Sequence, residues 1–130
     1  MHYFLENDLL KEKEEIDSLI SIADAVDKYF MDTEVFLNSQ LSVELLGSLT
    51  GLPHRKISLA IKLKFNLSFR DYLNGYRIEY LENHLINEET LRKLSFELIA
   101  ESAGFGSRQS FYSAFKKHRK TTPKEYFRSN

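Results

Sequence analysis

Ser95-Phe96-Glu97-Leu98-Ile99-Ala100-Glu101-Ser102-Ala103-Gly104-Phe105-Gly106-Ser107-Arg108-Gln109-Ser110-Phe111-Tyr112-Ser113-Ala114-Phe115-Lys116-Lys117 reads as two short helices meeting at a tight turn. Ser95 is placed to cap the first, its hydroxyl accepting from an early backbone N–H that has no partner inside the helix. Phe96, Leu98, Ile99 and Ala103 give that helix one apolar side. Gly104 falls where a helix ends on a residue at positive φ, a conformation that costs glycine little. Ser107 is a second N-cap. Phe111 and Phe115, four apart, share one face of the following helix, and Arg108, Gln109, Tyr112, Ser113 and Lys116 occupy the other. This is the helix-turn-helix pattern.

Residues 42–65 repeat the plan. Ser42, Glu44, Leu45, Leu46, Gly47, Gly51 and Leu52 each stand 53 residues before Ser95, Glu97, Leu98, Ile99, Ala100, Gly104 and Phe105. Past the turn the offset becomes 54, aligning Ile57 with Phe111, Ile61 with Phe115, Lys62 with Lys116 and Lys64 with His118. A small residue at 47 and 100 suits two helices that approach closely. Internal repetition is strong architectural information. A pair of helix-turn-helix units about 42–65 and 95–119 points to DNA, because the second helix of such a unit lies in the major groove.

Ser68–Ile86 links the copies. Phe69, Tyr72, Leu73, Tyr76, Tyr80, Leu81 and Leu85 mark a continuous stripe, and Ser68 is placed as an N-cap. Such a helix is roughly 27 Å long. A rod of that length would hold two recognition helices about one B-DNA turn, roughly 34 Å, apart. One chain would then read two neighbouring major-groove segments. Residues 87–94 read as a loop. Thr122-Pro123 starts a last helical turn, with Thr at the cap and Pro at the first helical position.

Residues 1–30 read as helical, with Ile16, Leu19, Ile20, Ala23, Val26 and Tyr29/Phe30 at helical spacing and Leu5, Leu9 and Leu10 extending the stripe. The segment is acidic, which disfavours phosphate contact; it is either a packing or dimerising helix or a solvated leader packed at one end. Residues 31–41 are a connection that Phe36, Leu37 and Leu41 anchor. The expected division is an acidic N-terminal helical extension over 1–37 and a domain over 38–130.

The net charge of −1 hides an asymmetry. Residues 1–50 carry 3 Lys+Arg against 11 Asp+Glu, a net of −8, whereas residues 51–130 carry 15 against 8, a net of +7. Such separation suggests that one segment meets a polyanion. The chain has 130 residues and no cysteine, so disulfides and thiolate metal sites are excluded. Two Pro, five Gly and long periodic stretches predict an all-α fold. No apolar run approaches membrane-spanning length and no signal peptide opens the chain, so no membrane contact by this segment is expected.

With both copies and the linking helix placed, residues 38–127 resemble the AraC/XylS-type DNA-binding domain of bacterial transcription regulators. The second copy carries Ile99-Ala100, Gly104-Phe105, Ser107, Phe111, Phe115-Lys116-Lys117, Thr122-Pro123 and Tyr126, and the linking helix Ser68-Phe69, Tyr72-Leu73, Arg77-Ile78 and Leu85. The resemblance implies two helix-turn-helix units joined by a long helix, binding in adjacent major grooves and contact with RNA polymerase. The chain departs from the family at Asn66 and Lys120, where Gly is frequent, at Ile61, where Phe is, and at Leu81, where Ala is usual. It also departs at Leu59 and Ser113, where Arg is frequent. The Asn66 and Leu81 changes are expected to affect packing only. The family's Tyr-Arg ending is present as Tyr126-Phe127-Arg128.

Arg108 and Gln109 stand at the N-terminal end of the second recognition helix, where Arg can pair with guanine and Gln with adenine. Tyr112 and Ser113 follow one turn on. In the first copy His54, Arg55, Lys56, Ser58, Leu59 and Lys62 occupy the matching face, and Leu59 would meet a thymine methyl or pack on a neighbour. Base-reading candidates are thus Arg108, Gln109, Tyr112, Ser113, Arg55, Lys56 and Leu59. Phosphate candidates are Lys62, Ser107, Lys116, Lys117 and Lys120, with Arg119 and Lys124 as further cations; phosphate contacts position a helix and carry no sequence information.

The four histidines (2, 54, 84, 118) have no metal spacing, and no nucleophile–base pair or phosphate-cradling Gly loop is present. Neither a metal, a cofactor nor an enzymatic activity is expected. The reading is a cytoplasmic, sequence-specific transcription regulator with double-stranded DNA as partner, either a stand-alone chain or the C-terminal part of a longer one. Homodimerisation through the N-terminal helix or through a sensor domain fits both. The competing class is a helical protein-interaction module whose helix-turn-helix units no longer read DNA.

Overall fold

The computed structural model describes the backbone of residues 2–129 and the side chains of residues 5–127 except 88, 91 and 92. The side chains of His2 and Arg128, named above, lie outside that set. Among the described residues every regular element is helical. These are α1 (His2–Thr33), α2 (Val43–Thr50), α3 (His54–Phe65), α4 (Phe69–Tyr80), α5 (Glu88–Lys93), α6 (Phe96–Ser102), α7 (Arg108–Arg119) and α8 (Pro123–Ser129). The chain divides into two units: α1 with residues 42–69, and residues 34–41 with the chain from Arg70 onward.

In the first unit α1 and α2 both pack on α3. Ala23, Val26 and Phe30 bury the C-terminal half of the α1 stripe, with Leu46, Ile57, Ala60 and Ile61 completing the core. Phe69 meets Phe30 edge to face at 6.5 Å. The Ser42 hydroxyl accepts from the Leu45 N–H at 3.1 Å and caps α2. Gly51 ends α2 at φ 75°, its N–H donating to the Gly47 carbonyl. A Cβ on Gly47 would lie 2.9 Å from the Leu52 carbonyl oxygen and 3.2 Å from the His54 Cβ, so the small residue is required by the close approach of α2 to the turn and α3.

The second unit repeats this motif. Ser95 caps α6 by accepting from Leu98, and Ser107 caps α7 by accepting from Ser110. Gly104 adopts φ 94°, matching Gly51 in the first copy. Ile99, Ala100, Ala103, Phe105, Phe111 and Phe115 form the core with Ile78 and Leu81. Phe96, Tyr126 and Phe127 are partly buried against it, Phe115 meeting Tyr126 edge to face at 5.3 Å. Thr122 caps α8 through the Glu125 N–H.

Three features depart from the sequence expectation. The linking helix runs to Leu85, but its last turn, Leu81–Leu85, is π-helical, closed by an Ile86 N–H to Leu81 carbonyl bond of 2.9 Å. Residues 87–94 are not a loop: they contain α5, which Asn87 caps by accepting from Thr90. Asn66 is not a packing change. It ends α3 in the left-handed region at φ 56°, as Lys120 ends α7 at φ 63°. Left-handed backbone costs a residue with a Cβ about 1–2 kcal/mol, and Asn tolerates it better than Lys. Lys120→Gly is therefore expected to stabilise the chain by about 0.5–1 kcal/mol, after the greater entropy of Gly in the unfolded state is deducted. A melting temperature raised by a few degrees would show this; a fall would show that the Lys120 side chain contributes more than its backbone strain costs.

A segment with weak local signals proves to be tied down. Residues 34–41 pass through a 3-10 turn at Val35–Leu37, and Phe36 and Leu41 are buried. Arg77 of α4 is buried too, at 6% exposure, and clips this strap. Its Nε donates to the Phe36 carbonyl at 2.7 Å and its Nη2 to the Asn38 carbonyl at 2.9 Å. Burial pushes the guanidinium pKa down to about 10, which leaves it charged at neutral pH.

Candidate nucleic-acid interface

The geometry of α7 follows from its caps and its two faces. Ser107 and Ser110 cap reciprocally: the Ser107 hydroxyl accepts from the Ser110 N–H at 3.1 Å, and the Ser110 hydroxyl accepts from the Ser107 N–H at 3.2 Å. This satisfies two early N–H groups and fixes where the helix begins. Phe111, Ala114 and Phe115 bury one face. Arg108, Gln109, Ser113 and Lys116 are exposed on the other, and Tyr112 is half-buried. The Arg108 guanidinium lies over the Tyr112 ring at 5.1 Å, which orders a long side chain at the start of the helix.

Beside this face runs a polar groove lined by Ser107, Gln109, Ser113 and Lys117 of the expected set, together with Arg70, Asn74, Ser110 and Ala114. Arg70 and Asn74 come from α4 and were not singled out from the sequence. Their signal is four-residue spacing on a linking helix otherwise read for its apolar stripe. Lys117 pairs with Asp71 at 2.7 Å, so part of its charge is already balanced. Arg119 pairs with Glu82. Lys116, Lys120 and Lys124 are exposed.

The α3 candidates lie in the other unit. Arg55 and Lys56 are exposed in the first turn of α3, and Ser58 is half-buried. No side chain caps this helix, whose N-cap is Pro53. Leu59 and Lys62 instead border a groove against α1, shared with Leu63, Glu12, Glu15, Ile16 and Leu19. The structure thus groups Arg108, Gln109, Tyr112 and Ser113 on one helix face, while Leu59 and Lys62, which follow Arg55 and Lys56 at helical spacing along α3, also border the groove against α1. Among the described residues no cluster of three or more His, Asp or Glu could hold a metal. No helix of the described residues is long and apolar enough to cross a membrane.

His118 of α7 is half-buried. Its ring packs against Gly75, where an added Cβ would be 3.3 Å from Cε1, and its Nε2 is buried with no partner among the described residues. Burial lowers its pKa below 6.5; Arg119, Lys117 and Lys120 add to this, and Asp71 opposes it. The folded state therefore binds this proton less readily than the unfolded chain. The stability tied to neutral His118 is present above pH 6.5 and is lost as pH falls through that unfolded value. Melting temperature is expected to drop from pH 7.5 to 5.5, with a shallower slope in His118→Gln; identical slopes would assign the dependence to other groups.

Two helix pairs, each turned on a left-handed glycine and each with an exposed basic first turn on its second helix, define a helix-turn-helix protein. A family model described as a helix-turn-helix domain matches residues 46–129, and the chain belongs to that family, in its AraC type. The family is one of DNA-binding transcription regulators. Among solved structures the chain is similar to the C-terminal domain of AraT, a response regulator from Geobacillus stearothermophilus. The identity is 27% over 84% of this chain and 85% of that one, with a TM-score of 0.69. A protein of unknown function from Listeria innocua matches equally, at 27% identity and TM-score 0.69 over 82% of this chain and 95% of that one. The C-terminal domain of the two-component response regulator yesN from Fusobacterium nucleatum matches at 28% identity and TM-score 0.60, over 90% of this chain and 98% of that one. No curated protein matches the chain.

Proposed function

We propose that the chain is a sequence-specific DNA-binding transcription regulator, or the C-terminal DNA-binding part of one, that inserts α7 and α3 into adjacent major-groove segments. The observation that carries this reading is the α7 face. Arg108, Gln109 and Ser113 stand exposed above a helix whose other side is locked by Phe111 and Phe115. Arg108 and Gln109 read base edges, and Tyr112 and Ser113 extend the contact by one turn. Lys116, Lys117 and Lys120, with Ser107 at the cap, hold phosphates. Arg70 and Asn74 border the same groove and join that set. In α3, Arg55 and Lys56 are the readers and Lys62 a phosphate contact, while Leu59 contributes apolar contact. The domain would occupy residues 38–130, with 1–37 as its helical extension. RNA polymerase is the expected protein partner and the cytoplasm the expected location, both carried by the family likeness.

Selection from random duplex DNA near physiological salt tests this reading. Two short motifs about 10–11 base pairs apart, bound by one chain, are expected if both helices read. A single motif would make α3 a backbone anchor. No enrichment, with a flat dependence of affinity on salt, would favour a protein-interaction module, since several phosphate contacts must give a slope of several units in log–log form. Within the selected site Arg108→Ala is expected to cost about 1–3 kcal/mol and relax one base position. Unchanged affinity and preference would remove Arg108 from the readers.

A further inference from the structure

The chain passes from the first unit to the second between residues 33 and 34, returns between 41 and 42, and crosses again between 69 and 70. The strap 34–41 is therefore a piece of the second unit with both ends continuous with the first. The core of the second unit is drawn from α4, the π-helical turn, α6, α7 and Phe105, and no strap residue is among its members. Yet the strap is held closely. The Phe36 ring meets Tyr76 at 5.3 Å and Tyr80 at 5.8 Å. The Asn38 carbonyl accepts from the Leu41 N–H at 3.1 Å as well as from Arg77. Leu41 directly precedes Ser42, whose hydroxyl caps α2. On its other side the Arg77 guanidinium stands 5.7 Å from the centre of the Phe105 ring, in the turn between α6 and α7. One side chain thus touches both the segment that leads into α2 and the turn that leads into α7. A buried charge is costly unless its donors are satisfied. An apolar residue would avoid that cost, but it could not grip the main chain of the strap.

We propose that Arg77 is a positioning residue for DNA recognition: by anchoring the strap it ties the second unit to both ends of the segment it borrows from the first, and so fixes the spacing of the DNA motifs that α3 and α7 accept. Compact units joined by one linker move relative to one another by default. The crossing at 69–70 alone is such a linker. The crossings at 33–34 and 41–42 become tethers only while the strap stays seated, and Arg77 seats it through the Phe36 and Asn38 carbonyls. Linked binding units gain most when the link holds the span that their sites require. The spacing role rests on both helices reading DNA as proposed above; the tie between the units does not, and it is measured without DNA.

Two measurements on the whole chain test this, with Arg77→Lys as the variant because it keeps a cation and loses the planar fork. The first uses duplexes carrying both selected motifs at their preferred spacing or two base pairs further apart. The native chain is expected to lose about tenfold or more in affinity at the altered spacing, and Arg77→Lys about threefold or less, with base preference within each motif unchanged. A merely structural role would lower affinity at both spacings alike. The second uses free protein. The chain has no cysteine, so Ser48→Cys and Glu101→Cys, both exposed, place one spin label in each unit. The distribution of distances between the labels is expected to be narrow in the otherwise native chain and broader with Arg77→Lys. Phe36→Leu, which keeps an apolar side chain under the strap and removes its ring contacts, is expected to shift both readings the same way, so the test does not depend on Arg77→Lys folding. Distributions equally wide with and without these changes overturn the tie. Equal sensitivity to spacing overturns the positioning role. Selection of a single motif would remove the two-helix reading, and broadened distances would still uphold the tie.

Discussion

Gly104→Ala is expected to destabilise the second unit by about 3–5 kcal/mol and to lower its melting temperature on the order of 10 °C. Two costs combine. The backbone at φ 94° disfavours any residue with a Cβ. The added methyl would also stand 2.6 Å from the Phe36 carbonyl oxygen and 2.9 Å from the Leu37 Cα and carbonyl oxygen. Those neighbours are backbone atoms of the strap, so no side-chain rotation relieves the overlap. The repeat provides its own control. Gly51 has the same role at φ 75°, but no described heavy atom lies within 4 Å of its Cβ position. Gly51→Ala should therefore show the backbone cost alone, about 1 kcal/mol. Equal losses at the two positions would show that the strap does not press on the turn; a more stable Gly104→Ala would show that the turn is not left-handed.

Arg77→Met is expected to cost about 3 kcal/mol or more. It keeps much of the side-chain length and removes only the donors. The Phe36 and Asn38 carbonyls then lose charge-assisted bonds of 2.7 and 2.9 Å. Bonds to a charged donor contribute about 1.5–3 kcal/mol each, and a buried carbonyl left without a partner adds its desolvation cost. Arg77→Lys should recover little, because one ammonium cannot reproduce a planar fork aimed at two carbonyls. Hydrogen exchange gives the decisive reading: amides of residues 34–41 should lose protection in Arg77→Met while amides of α3 keep theirs. Unchanged protection across the strap would show that Phe36 and Leu41 hold it without the clip.

The helix-turn-helix pairs were legible because their signals are local. Ser42, Ser95, Ser107 and Thr122 cap the helices expected of them, and Gly51 and Gly104 both take positive φ. Phe111 and Phe115 announce the buried face of α7 by their spacing, and Arg108, Gln109 and Ser113 follow as its exposed complement. The misread segments lacked such markers or carried misleading ones. Residues 87–94 hold six residues of helix, too short for a periodic stripe to show. The π-helical turn at Leu81–Leu85 changes hydrogen-bond spacing without changing residue type. Asn66 suggests only a packing change in sequence, because a residue at a family glycine position does not reveal its own φ.

Order along the chain and chemistry of each side chain are enough to decide helix, cap, turn and exposed face, since those depend on neighbours within four or five residues. They also decided the family, because its pattern is one of spacings. What depends on residues far apart in sequence was decided by tertiary structure. Arg77 belongs to the family pattern in sequence, but its role as a clip appears only when the strap 41 residues earlier places carbonyls at its nitrogens. Leu59 suits either a thymine methyl or a packing neighbour by its chemistry alone, and only the packing of α1 on α3 puts Ile16 and Leu19 on the same groove. His118 carries no metal spacing in the sequence, and only the fold brings its ring against Gly75, which has no side chain to exclude it. In each case the energetic role comes from what surrounds the side chain in three dimensions, and that environment is assembled only when the helices pack.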